Sequence, residues 1–443
     1  MNILQEFDTI TAIATPLGTG GVGIIRISGS KSFPIAEMIF KGDIEIGKIC
    51  YGKIVDDNDV LDEVIVLPFK APHSYTGEDV IEIHCHGGVN VVKNILNLVI
   101  KSGARMAERG EFTKRAFLNK KMDLSQAEAV ADIIHSKTAK FATQSVKNLS
   151  GSLKNNILKI RNDIFELLSK IVAGIDFPED VKEPEYDYLI SEITKIIEKI
   201  ENVLKNADAS NVMRLGIKVA IIGRPNAGKS SLFNALLNLE RAIVTDIAGT
   251  TRDVLRENLD WDVPVTLIDT AGIRDTENKI EKIGIEYSKQ AVDEADFVIF
   301  IYDAHEGFTH EDKAIYELIK DKPYLIAGNK IDLGKNAGLL DETVEISTVT
   351  GQGLELLKSK LKNYTENYNC EDMEFTTNVR QQNCLKNSLV ALNNALAASK
   401  EQQIQDLISI DLKSALLALD ELTGEVITDD ILNNIFDNFC IGK

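Results

Sequence analysis

The chain has no run of about 18 apolar residues, so nothing in it reads as a membrane-spanning helix. Its first thirty residues alternate apolar and polar positions and hold no unbroken apolar stretch of the kind that marks a secretory signal. Cysteine is sparse: Cys50, Cys85, Cys370, Cys384 and Cys440 are scattered, odd in number and without CxxC spacing. That pattern excludes a disulfide framework or a zinc knuckle and reads as reduced thiols in a cytoplasmic protein. Positive charge is also short. Against 68 acidic residues stand 49 basic ones, a net charge of -19, which disfavours a broad basic face that coats nucleic acid. Any RNA contact must therefore be local or supplied by a basic partner. The 443 residues, 44% of them hydrophobic, suffice for two or three globular domains.

Residues 1–120 read as mainly β with some helix. Ile10–Ala14, Gly23–Ser28, Val64–Leu67 and Val80–His84 are strand-like, and Val91–Ile100 is helix-like. Over 121–212 the pattern changes to long helices. Ile157, Ile160, Ile164, Leu167, Leu168 and Ile171 follow 3–4 spacing, as do Ile193, Ile196, Ile197, Ile200 and Leu204. A compact α/β stretch over 213–368 follows, and helices resume over 369–443. The expected architecture is multidomain α/β and α: a β-rich α+β N-terminal domain and a discontinuous helical domain into which the α/β stretch is inserted.

The richest signal is Gly223-Arg224-Pro225-Asn226-Ala227-Gly228-Lys229-Ser230, a full G-x-x-x-x-G-K-[ST] match between a β-branched run and a helical pattern. Strand, glycine loop and helix N-terminus together surround phosphates with backbone N–H groups. Lys229 is expected on the β- and γ-phosphates and Ser230 on Mg²⁺. Further signals follow in order. Gly249-Thr250-Thr251-Arg252-Asp253 offers Thr251 to the Mg²⁺ shell. Leu267–Gly272 is a strand ending in D-x-x-G, with Asp269 on Mg²⁺ through water and Gly272 at the γ-phosphate. Asn329-Lys330-Ile331-Asp332 ends another strand, and the Asp332 carboxylate can accept from guanine N1–H and its amine together, a donor pair that adenine lacks. Ser347 and Thr348 fall where a second base loop belongs, with threonine where alanine is usual. The inserted stretch is thus expected to be a P-loop, Ras-like G domain, with nucleotide contacts at Asn226, Ala227, Gly228, Lys229, Ser230 and Ser231; at Gly249, Thr250 and Thr251; at Asp269, Thr270, Ala271 and Gly272; and at Asn329, Lys330, Asp332, Ser347 and Thr348. Ile273 stands where Ras-type enzymes carry a water-orienting glutamine. Asn226 either helps a monovalent cation bridge the phosphates or simply fits the tight turn.

These motifs, with Thr245–Asp253, Gly77-Glu78-Asp79-Val80, His86-Gly87-Gly88, Gly110-Glu111-Phe112-Thr113 and Phe439-Cys440-Ile441-Gly442-Lys443, closely resemble the MnmE (TrmE) family along essentially the whole chain. The resemblance implies an N-terminal domain that binds 5-formyl-tetrahydrofolate or a related one-carbon folate and forms a homodimer. It implies a heterotetramer with an FAD-dependent MnmG-type subunit. Together they would modify C5 of the wobble uridine (U34) of certain tRNAs to a carboxymethylaminomethyl or aminomethyl form, with GTP/GDP turnover driving the cycle. K⁺ ligands carry over to Asn226, Thr245, Ile247 and Thr250, further nucleotide contacts to Thr245, Asp246, Ile247 and Ala248, and folate contacts to Arg26, Glu82, Lys121 and Lys443. Glu281 would position the attacking water, an assignment that rests wholly on the resemblance.

Other signals weigh less. Gly18–Gly23 matches G-x-G-x-x-G, yet a strand-like run follows it rather than a helix, so a hairpin is expected and not a dinucleotide site. His84 and His86 share a strand face from which Cys85 points away, too few ligands for a metal. Cys440 is a candidate nucleophile with no base evident beside it. A regulatory switch that binds ribosomes or other RNA assemblies would carry the same P-loop and is the alternative function.

Overall fold

A computed structural model describes residues 8–238, 256–261, 263–269, 291–334, 340–366 and 373–443. They form two compact units. One draws on 8–134, 146–201 and 383–443, the other on the described parts of 135–145 and 202–382.

The first unit contains a 7-stranded sheet built from β1 (Ile10–Ile13), β2 (Val22–Ser28), β3 (Phe40–Lys41), β4 (Cys50–Asp56), β5 (Asp59–Phe69), β6 (Val80–His86) and β7 (Arg105–Met106). The strand order is β3-β4-β5-β6-β2-β1-β7, and every pairing is antiparallel except β1 with β7. Alternation along β2 and β6 follows from one face being packed. Ile25, Ile27, Ile81 and Ile83 turn towards Ile35 of the helix Ser32–Ile39 and towards Val92, Ile95 and Val99 of the helix Val89–Lys101. Arg26 and Glu82 occupy intervening positions directly opposite each other in the β2–β6 register, so they share the other face. The glycine-rich segment 18–23 connects β1 to β2 and continues straight into the strand, with Gly20 N donating to Gly87 O. It is a hairpin loop.

The rest of this unit is helical. Helix Ser152–Asp176 buries the expected stripe of Ile157, Ile160, Ile164, Leu167, Leu168 and Ile171. It packs against the helix Gln405–Thr423, which buries Ile408, Leu412, Leu416 and Leu419. Arg161 pairs with Asp420 across this contact, 259 positions away in sequence. Helical segments from both sides of the α/β stretch therefore meet in one unit.

The second unit is built on a 6-stranded sheet: β8 (Ile217–Ile222), β9 (Arg256–Asp260), β10 (Pro264–Asp269), β11 (Phe297–Asp303), β12 (Tyr324–Asn329) and β13 (Val344–Glu345), in the order β13-β12-β11-β8-β10-β9. All pairs are parallel except β9 with β10. A sheet covered on both faces needs apolar residues on both. In β11, buried along its whole length, Ile299 and Ile301 join Val219, Ile221 and Leu267 in one cluster. Val298, Phe300 and Tyr302 join Ala220 and Ile222 in the other. The single tryptophan, Trp261, is buried in the first cluster. The helix Ala207–Leu215 belongs to this unit, with Val212 against the sheet core, and Phe141 and Met373 pack with Met213. Multidomain α/β and α architecture, with a β-rich α+β portion and a P-loop α/β portion, is what the chain adopts. No described helix is long and apolar enough to cross a membrane.

Ile164 is fully buried in its stripe. Ile164→Ala should cost about 2–5 kcal/mol, the usual toll of a core cavity. The measurement is the urea midpoint by far-ultraviolet circular dichroism, and an unshifted midpoint would remove Ile164 from the core.

Candidate functional site

A parallel sheet presents ligands beyond the carboxyl ends of its strands, and the predicted nucleotide loops lie there. β8 runs into Gly223, and the helix Lys229–Asn238 follows the loop. Two glycines explain why the loop can sit so close to its neighbours. A Cβ on Gly223 would lie 2.0 Å from Ile301 O, and one on Gly228 would lie 2.1 Å from Asn329 Nδ2. Gly228 also has φ +103, where a side chain is strained. Asn226 adopts the left-handed region at φ 63, which asparagine tolerates, so its turn-fitting role is real. Ala227 is buried beneath the loop, whereas Ser230 and Ser231 are exposed at the helix start. Lys229 Nζ donates to Gly223 O at 2.8 Å and Arg224 O at 3.0 Å. An ammonium resting on loop carbonyls and an exposed hydroxyl at a helix N-terminus suit Mg²⁺ and a nucleotide's phosphates.

The base loop is held by its own hydrogen bonds. Asn329 is buried at the end of β12, with Nδ2 donating to Ala227 O at 2.9 Å and Oδ1 accepting from Thr348 N at 3.1 Å. Lys330 takes φ 67, which turns the chain into the short helix Ile331–Leu333 and leaves Asp332 exposed. Ser347 Oγ donates to Asp332 Oδ1 at 2.6 Å and fixes that carboxylate. Thr348 contributes through its backbone N–H, so threonine in place of alanine costs this contact nothing. The structure thus brings Ala227, Gly228, Asn329, Lys330, Asp332, Ser347 and Thr348 together. Thr245, Asp246, Ile247, Ala248, Gly249, Thr250, Thr251, Thr270, Ala271, Gly272, Ile273 and Glu281, with the side chain of Asp269, lie outside the described residues.

One residue at this site escaped the sequence reading. Asp303, the last residue of β11, accepts from Lys330 Nζ at 2.7 Å and from the N–H groups of His305 and Glu306. Burial pushes its pKa up, but Lys330 and the two N–H groups outweigh burial and hold it below the usual value. The only sequence clue was an acid ending an otherwise apolar strand.

In the first unit, Arg26 Nε donates to Glu82 Oε1 at 2.8 Å, and Arg26 Nη1 to Gly442 O at 3.3 Å. The guanidinium lies 5.4 Å from the Tyr75 ring and 5.5 Å from that of Phe112, contacts with no sequence signal. Cys440 O accepts from Gly110 N, Ile441 bridges to Arg109, and a Cβ on Gly442 would lie 2.2 Å from Ile13 O. The segment ending in Lys443 is therefore laid against the sheet beside Arg26 and Glu82. Lys121 Nζ donates to Pro72 O, on the loop that also carries Tyr75. The Cys440 residue is exposed. His84 pairs with Glu82 and His86 with Asp62, while Cys85 is buried and its thiol is pushed up to about 11, chiefly by burial. No group of His, Cys, Asp and Glu fit to hold a metal occurs among the described residues.

Gly228→Ala should raise the Kd for GDP by about hundredfold, since strain and a side-chain collision each cost on the order of 1–3 kcal/mol. A fluorescent-GDP titration reads this directly, and wild-type affinity would mean that the loop can repack.

Comparison with known proteins finds matches along nearly the whole chain. A family model described as MnmE helical domain matches residues 124–440, and one described as GTP-binding protein TrmE N-terminus matches residues 9–121. The chain is similar to tRNA modification GTPase MnmE of Alkaliphilus metalliredigens, at 43% identity over 98% of this chain and 99% of the relative. It is similar to the protein of that name from Aquifex aeolicus, at 44% identity over 98% of this chain and 100% of the relative. Among solved structures, a variant of Aquifex aeolicus Era bound to GDP.AlF4- is 32% identical over 40% of this chain and 66% of that one, with a TM-score of 0.26, too low to bear on the fold. Matched by the models of two of that family's domains and by relatives along nearly its whole length, the chain belongs to the MnmE family of tRNA modification GTPases and is a GTP hydrolase.

Proposed function

We propose that this GTP hydrolase runs a K⁺-dependent cycle and, with an FAD-dependent MnmG-type subunit, modifies C5 of the wobble uridine of certain tRNAs to a carboxymethylaminomethyl or aminomethyl form in the cytoplasm. The observation that carries the reading is the meeting of Arg26, Glu82 and the Gly442 carbonyl, which ties the C-terminal segment to the N-terminal sheet. The donor set there suits a one-carbon folate. Glu82 can accept from the N–H groups of a pterin, the partly exposed Tyr75 supplies an aromatic face, and Lys121 and Lys443 are cations for the folate's carboxylates. The folate would carry the one-carbon unit, with Cys440 beside it. Working units would be a homodimer and, with the partner, a heterotetramer, over domains at 1–120, 121–212, 213–368 and 369–443.

In the nucleotide site, Ser230 and Thr251 would hold Mg²⁺. Asn226, Thr245, Ile247 and Thr250 would hold K⁺ where other GTPases use an arginine finger, a role worth about 10³–10⁵ in rate. Glu281 would orient the attacking water in place of the glutamine that Ile273 replaces. Support for the cation comes from Asn226 being exposed at the turn of the phosphate loop.

Turnover should fall about tenfold or more when Na⁺ replaces K⁺ at matched ionic strength, and Asn226→Ala should erase most of the difference. Equal rates in the two salts would end the K⁺ proposal.

Deleting Cys440–Lys443 should abolish tRNA modification, read by mass spectrometry of wobble nucleosides, while sparing GTP hydrolysis. Calorimetry with 5-formyl-tetrahydrofolate should show weaker binding for Arg26→Ala and for Glu82→Ala. Binding by both as tight as wild type would place the folate elsewhere.

A further inference from the structure

The phosphate loop and the base loop are joined directly where Asn329 Nδ2 donates to Ala227 O. A second connection runs on the other side, through the segment 303–312 after β11. The side chain of Arg224, the second residue of the phosphate loop, is paired with acids of that segment. Its Nη2 donates to a Glu306 carboxylate oxygen at 2.6 Å. Its Nε lies 3.2 Å from Asp312 Oδ1, within ion-pair reach though not aligned as a hydrogen bond. Asp312 is fully buried, and its other oxygen accepts from Thr309 N at 3.0 Å and Thr309 Oγ1 at 2.7 Å, the capping box of the helix His310–Glu317. At the head of the same segment, Asp303 accepts from Lys330 of the base loop. Between these anchors the backbone is held by one bond within the segment and one to the base loop. Gly307 N donates to Asp303 O at 2.9 Å, and Ala304 N donates to Asn329 O at 2.8 Å.

We propose that Arg224 and Asp303 are positioning residues that tie the two nucleotide loops together through segment 303–312, so that phosphate and base binding are set by one rigid frame. The arrangement gives each residue a definite task. Lys229 now braces the Gly223 and Arg224 carbonyls, and when it turns to the β- and γ-phosphates those carbonyls lose it. The Arg224 side chain keeps the loop in shape at that moment. Its charge is spent on two carboxylates, so it does not serve as an arginine finger supplied from within the chain. Asp303 does the corresponding work for Lys330, whose ammonium would otherwise swing freely on a backbone already in the left-handed region.

The test measures full-length Arg224→Gln, Asp303→Asn and the double variant by fluorescent-nucleotide titration and by kcat at saturating GTP. Each single change removes a charge-assisted hydrogen bond and should raise Kd for GDP and GTP alike by about tenfold, with kcat at saturation within about threefold of wild type. Because both act through one segment, the double variant should raise Kd by well under about hundredfold. Glu306→Gln, at an exposed carboxylate, should move Kd in the same direction by about threefold and decides the matter if Arg224→Gln does not fold. An unchanged Kd in either single variant, strictly multiplicative effects, or a collapse of kcat at unchanged Kd would each overturn the proposal.

Discussion

Parallel pairing of β8 with β10 on one side and β11 on the other sets where a nucleotide can sit. Three strands running the same way end at one edge, and their loops have no choice but to emerge there. Burial of both faces of β11 makes that edge rigid, because neither face can yield without opening one of two hydrophobic clusters. Gly223 and Gly228 then become obligatory, since the loop is pressed against Ile301 O and Asn329 Nδ2. Side-chain chemistry enters only after the backbone has been placed.

The N-terminal sheet organises its charges by register. Arg26 and Glu82 meet because β2 and β6 pair antiparallel with those two residues opposed, and slipping one strand by a single residue would turn one of them to the packed face and part the pair. The loop leading into β6 is secured by a deeper network. Arg115 is almost wholly buried and bonds to Glu78, Glu111 and Asp8, and Ser28 Oγ also donates to Glu78. Burial raises the Glu111 pKa, but hydrogen bonds from Arg105, the Glu108 backbone and Arg115 bring it below its ordinary value. A buried ion cluster of this kind is costly to break from either side, which suits a loop that must hold Tyr75 and Pro72 in place.

The two halves differ in how far their sequence could be read. The phosphate loop was legible because its eight residues are contiguous and each has a local task. Asp332 was legible for the same reason, at the end of a strand. Asp303 and the Arg224 anchors were not, because their partners lie 27, 82 and 88 positions away and meet only when β8, β11 and β12 align. Tyr75 and Phe112 reach Arg26 from a loop and a helix, with no periodicity to mark them. Helical stripes such as Ile157–Ile171 were plain, yet their packing partner some 250 residues on could not be told from periodicity alone.

The single tryptophan gives the molecule a built-in reporter. Trp261 is buried in the core of the α/β unit, and the other unit has no tryptophan of its own. Indole emission therefore follows solvent entry into the nucleotide-binding unit only, while helical ellipticity weights the long helices elsewhere. Two optical signals from one unmodified chain can thus separate the melting of its parts, and a single transition temperature would describe it only if the two signals coincide.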